Sequence, residues 1–139
     1  MNVLIDKTSK YIPYLLVLLS VLLLCKLKLV WIYLAGYILC IILNKLLKYT
    51  IRDERPYWNK DSLYNMPSGH CMIVFYTITF MYMYLSPNYM YAYYLLGFIT
   101  VYNCIQGNYH TVDQCIVGII CGIVFGYIWY KQLTILKRV

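Results

Sequence analysis

Charge is scarce in this chain. Charged residues fill 12% of its 139 positions, where a soluble domain carries about a quarter. Apolar residues make up 63% and are gathered into long runs, so an ordinary soluble domain is excluded and an integral membrane protein is expected. Acid is scarcer still: five Asp and Glu face twelve Lys and Arg, a net charge of +7. The basic residues flank apolar runs, which is how membrane topology is set, so the positive balance does not point to nucleic acid. Metal-type spacing is absent from the six cysteines. Most of them lie in or beside apolar runs and read as small buried hydrophobes. Internal repeats and low-complexity linkers are also missing, and the length suits one domain, residues 1–139. Tyrosine is plentiful at 18 residues, and some of these rings are expected in interfacial belts.

Five apolar segments are legible, at about 11–25, 29–47, 67–85, 89–105 and 111–130. The expected fold is therefore all-α, a polytopic membrane bundle of about five transmembrane helices. Thr8 and Ser9 are candidate caps for the first helix, with Pro13 in its first turn. No small-residue cleavage site follows, so this segment reads as an uncleaved anchor. No Gly or Pro separates the first two segments. A single helix over both would be roughly 55 Å long, too long for an apolar core about 30 Å thick. A break is thus required near Lys26 to Lys28. Ser86-Pro87-Asn88 marks a turn, and Gln106-Gly107-Asn108 is a short polar break.

Histidine occurs twice, and each copy stands at the polar edge of an apolar run, His70 in Pro67-Ser68-Gly69-His70 and His110 in Tyr109-His110-Thr111. Lys48 and Arg55 lie in the polar stretch upstream. No span separates that stretch from His70, and two spans separate His70 from His110, so all four residues face the same side. Each histidine opens a helix, whose N-terminus favours an anion. Arg grips phosphate oxygens in a fork, and Lys adds a point charge. Ser68 and Gly69 let a hydroxyl and a close backbone reach the same oxygens. Histidine can serve as nucleophile or as proton donor near neutral pH. Asp113 and Gln114, three and four residues after His110, share its helical face, and either can orient its imidazole.

These motifs resemble the type 2 phosphatidic acid phosphatase superfamily, whose pattern is K-x6-R-P, then P-S-G-H, then S-R-x5-H-x3-D. The first two motifs match at every defined position, and the resemblance covers about residues 44–130. His110-Thr111-Val112-Asp113-Gln114 is most similar to the H-T-x-x-Q segment of the dolichyldiphosphatase group. The resemblance implies a lipid phosphate or diphosphate substrate, His110 as nucleophile, and His70 as acid for the leaving group. It implies phosphate binding by Lys48, Arg55, Ser68 and Gly69, with no metal and no cofactor. The third motif departs from the pattern. Its Ser-Arg falls on Asn103-Cys104, and Asp113 is one residue nearer the histidine than the family's acid. Arg52, one turn before Arg55, is a candidate substitute for the missing charge. An arginine at position 104 is expected to raise the rate if the pocket accepts it.

Each residue taken singly has a plainer reading, as an interfacial anchor, flanking charge, turn or cap. Their joint order, on one side of the membrane, favours the phosphatase site. A metal site from Asp53, Glu54, His70, His110 and Asp113 is the less favoured chemistry, because both Asp53 and Glu54 neighbour arginines. A non-enzymatic membrane protein is the rival of another class. The site is expected to face away from the cytosol, since Lys26, Lys28, Lys131, Lys137 and Arg138 lie on the other side without acids.

Overall fold

The computed structural model describes residues 2–24, 26–53 and 64–136. Five helices follow one another: α1 Asn2–Leu23, α2 Leu27–Ile51, α3 Gly69–Tyr82, α4 Pro87–Gln106 and α5 Val112–Leu136. No strand forms among the described residues. The break that length required lies between Leu23 and Leu27, close to its expected place. Helix α1 begins earlier than expected, so Pro13 falls inside it and removes one backbone hydrogen bond there.

Helix α3 is the centre of the bundle and packs against each of the other four helices. Its sequence is apolar on every side, as a fully surrounded helix must be. Met72, Val74, Tyr76, Phe80 and Met81 are all without solvent exposure. At 14 residues it is about 21 Å long, shorter than a membrane core. Helices α2 and α5 are long and apolar enough to cross one.

The most extensive contact joins α3 to α5, and glycine makes it possible. Gly118, Gly122 and Gly126 fall at four-residue spacing on one face of α5. A Cβ at Gly118 would stand 2.7 Å from the Ser68 carbonyl oxygen, and one at Gly126 would stand 3.0 Å from that of Tyr76. At Gly122 it would collide with the Met72 carbonyl. Small residues at this spacing let two backbones approach closely where no water drives association.

Tyrosines hold the interior together as well as decorating the surface. Tyr76 Oη donates to the Tyr33 carbonyl at 2.8 Å, and Tyr33 Oη bonds Thr77 Oγ1 at 3.0 Å. Tyr93 Oη bonds Ser20 Oγ at 3.0 Å, linking α4 to α1. Trp129 Nε1 donates to the Ile32 carbonyl at 3.0 Å, linking α5 to α2. The expected interfacial belts are thus only part of the tyrosine account, because a buried ring needs a partner for its hydroxyl. The outer faces carry exposed Leu18, Leu22, Trp31, Ile38, Phe98, Ile120 and Ile128. So much exposed apolar surface suits lipid and not water.

Candidate active site

The polar end of the bundle is assembled from the end of α2, the loop before α3, and the turn from α4 into α5. Helix α2 stops at Arg52, whose φ of 53° is left-handed and whose N–H returns to the Lys48 carbonyl. Asp53 follows. Its carbonyl accepts from Asn65 N at 2.9 Å, which ties the two ends of the loop together. Asn44, buried one turn before Lys48, donates to the Pro67 carbonyl at 3.2 Å. It also lies against Gly69, where a Cβ would stand 3.2 Å from its Oδ1.

The loop before α3 is then locked onto α5. Ser68 N donates to the Gln114 carbonyl at 3.1 Å. Ser68 is without exposure, and its Oγ accepts from Cys71 N at 3.5 Å as the cap of α3. His70 is in the first turn of α3 and exposed. Lys48 is partly buried. Arg55 lies outside the described residues.

His110 is held from two directions. Its backbone N–H, like that of Tyr109, donates to the Cys104 carbonyl at the end of α4, at 3.2 and 3.1 Å. Its ring Nδ1 meets Gln114 Oε1 at 3.3 Å. Thr111 and Gln114 form a reciprocal cap at the start of α5. Thr111 N donates to Gln114 Oε1 at 3.0 Å, and Gln114 N donates to Thr111 Oγ1 at 3.4 Å. Gln114 Oε1 also accepts from Asn65 Nδ2 at 2.6 Å. Gln114 Nε2 donates to Asp53 Oδ2 at 2.6 Å.

These contacts fix the histidine tautomer. An ionised carboxylate only accepts, so Asp53 demands the NH₂ side of the Gln114 amide. The oxygen side then faces His110, and an oxygen only accepts. Nδ1 therefore carries a proton, and in the neutral imidazole Nε2 carries the lone pair. Asp53, Asn65 and Gln114 thus form one hydrogen-bonded chain that orients the His110 imidazole. Of the two candidates for orienting His110, Gln114 makes the contact and Asp113 is exposed on α5. Asp113 lies in the first turn of α5, where the helix dipole favours an acid.

Arg52 is exposed, and its Nε donates back to the Tyr49 carbonyl at 3.2 Å. Cys104, at the position of the family's arginine, is 2% exposed and packs with Cys71 and Cys115. Asn65 and Asn44 were not singled out as site residues, and Asp53 was named only for the less favoured metal site. Their roles depend on loop closure, which linear spacing does not report. The one available signal was Thr111-x-x-Gln114, a capping-box pattern that already predicts where the Gln114 side chain turns.

A family model described as the PAP2 superfamily matches residues 29–138. The chain belongs to the PAP2 superfamily. Among curated proteins it is similar to Dolichyldiphosphatase 1 of Dictyostelium discoideum, at 29% identity over 110 residues, covering 68% of this chain. The chain spans about half, 48%, of that relative's length. No solved structure gives a significant match. The PAP2 match takes in α2 to α5 and so includes both histidines and Gln114.

Proposed function

We propose that this PAP2 protein is a multi-pass membrane lipid phosphatase that needs no metal for catalysis. Its substrate is a polyprenyl diphosphate of the dolichyl type, cleaved to the monophosphate. The observation that carries the reading is the Asp53–Gln114–His110 chain, which turns Nδ1 toward Gln114 and supports Nε2 as the nucleophile. Membership in a phosphatase superfamily and the likeness to a dolichyldiphosphatase support the reaction class.

The chemistry follows from the residues. His110 Nε2 attacks the terminal phosphorus, forming an N–P bond as the bridging P–O bond breaks. His70 protonates the departing oxygen of the lipid monophosphate. Water then attacks the phosphohistidine, His70 takes its proton, and inorganic phosphate leaves. Lys48, Arg55, the Ser68 hydroxyl, Gly69 N–H and the N-terminus of α3 are the groups assigned to the phosphate oxygens. Ser68 N–H is committed to the Gln114 carbonyl and Ser68 Oγ accepts from Cys71 N, so its hydroxyl hydrogen is what Ser68 offers the phosphate. A charged head at the polar end and a tail along the exposed apolar faces suit an interfacial site.

Two alternatives rest on Cys104. Without the third-motif arginine, a phosphatidic acid-type monoester is one, and an inactive member of the superfamily is the other. The deciding assay measures phosphate release by the purified full chain from lipid monophosphates and diphosphates in the presence of a chelator. Preferential release from polyprenyl diphosphate is expected. Hydrolysis of water-soluble esters alone, or of nothing, contradicts the proposal.

A further inference from the structure

Beneath the phosphatase site lies a second cluster of reactive groups. Cys71 on α3, Cys104 on α4 and Cys115 at the start of α5 bring their sulfur atoms within 4.8 Å of one another. All three are buried, at 0%, 2% and 1% exposure. Val101, Ile105 and Ile119 close the pocket around them. We propose that Cys71, Cys104 and Cys115 form a structural binding site for a divalent, thiophilic d¹⁰ cation of the zinc type.

The geometry suits such an ion. A zinc–thiolate bond is about 2.3 Å, so three sulfurs around one ion stand about 4 Å apart. Charge selects the valence. Three thiolates around a divalent ion leave a net charge of −1, while a monovalent ion leaves −2, and burying more uncompensated charge in an apolar pocket costs more. Hard cations are excluded because the pocket offers sulfur and no oxygen cage. On binding, three S–H protons leave and three metal–sulfur bonds form, with no redox step. The linear spacing of the cysteines hides the site because each ligand comes from a different helix.

The ion would pin together α3, α4 and α5, at whose polar ends the two histidines lie. Cys71 adjoins His70, Cys115 adjoins Gln114, and the Cys104 carbonyl holds the His110 N–H. The site is structural and does not depend on the phosphatase reading, so its test needs no activity.

The test uses the full chain, reduced and purified in detergent, with Cd(II) as the probe. One equivalent is expected to bind, to give a thiolate-to-metal charge-transfer band in the ultraviolet, and to release three protons. Alkylation mapped by mass spectrometry should show Cys71, Cys104 and Cys115 protected by Cd(II) while Cys40 and Cys121 stay as reactive as without it. The melting temperature should rise by several degrees in the wild type and in Cys121→Ser, and not in Cys104→Ser. The wild-type mapping decides the matter even if Cys104→Ser fails to fold. No stoichiometric binding, protection centred on Cys40 and Cys121, or undiminished binding by a folded Cys104→Ser overturns the proposal.

Discussion

Gln114 joins four partners through one side chain: His110, Thr111, Asn65 and Asp53. Replacing it with Ala leaves the buried Asn65 amide only its bond to the Tyr109 carbonyl and removes the contact at His110 Nδ1. A loss of about 1–3 kcal/mol in stability is expected, with kcat down about tenfold or more and KM little changed. Thermal melts and steady-state kinetics check both. Asp53→Asn separates positioning from packing. An Asn there can accept or donate, so it no longer dictates the Gln114 amide orientation, and kcat should fall with the fold intact. The expected rescue by Cys104→Arg is revised. Cys104 is buried among apolar side chains, and a guanidinium there is costly unless paired. A lower melting temperature and no gain in turnover are expected. The sequence narrowed the partner of His110 to Asp113 or Gln114 but could not choose, because both share its helical face. The choice lies with Asp53 and Asn65, which loop closure brings from 61 and 49 residues away from Gln114.

At the scale of elements, the α3–α5 contact decides whether the site forms. The loop carrying Ser68 meets the first turns of α5, and the two backbones touch at Gly118 and Gly122. Gly122→Ala sets a methyl group against the Met72 carbonyl. Overpacking of this kind costs about 1–3 kcal/mol. The helices should part first at the polar end, so turnover should fall together with the melting temperature. An unchanged melt would contradict this packing. The helices themselves were legible from apolar runs and turn residues, and the break between α1 and α2 followed from length alone. Their ends were less so. Helix α2 runs past Lys48 to Ile51, because lysine is a good helix former and tolerable in a last turn. Helix α3 stops at Tyr82, short of the apolar run, where residues 83–85 form a turn toward Ser86-Pro87. The glycine ladder was visible as Gly118-x3-Gly122-x3-Gly126, but its partner surface is a property of the assembled bundle.

For the whole molecule, the polar ends of α2, α3 and α5 meet on one side, and parity along the chain already required this. The proposed orientation puts that side away from the cytosol. A glycosylation acceptor placed between residues 54 and 63 should therefore be modified in a eukaryotic secretory membrane, and cytosolic reactivity of a tag there would reverse the orientation. Composition made the membrane class legible, and the motif order made the superfamily legible. The buried tyrosine hydrogen bonds and the three-cysteine cluster were not, since both join residues distant in sequence. The central claim is that His110 carries the phosphoryl group on Nε2. Rapid quenching of the full chain with radiolabelled polyprenyl diphosphate, followed by mapping of acid-labile phosphate, tests it most directly. Label on His110, absent in His110→Ala and still forming in His70→Ala, is the expected result. Label on another residue, or turnover by His110→Ala at the wild-type rate, would contradict it.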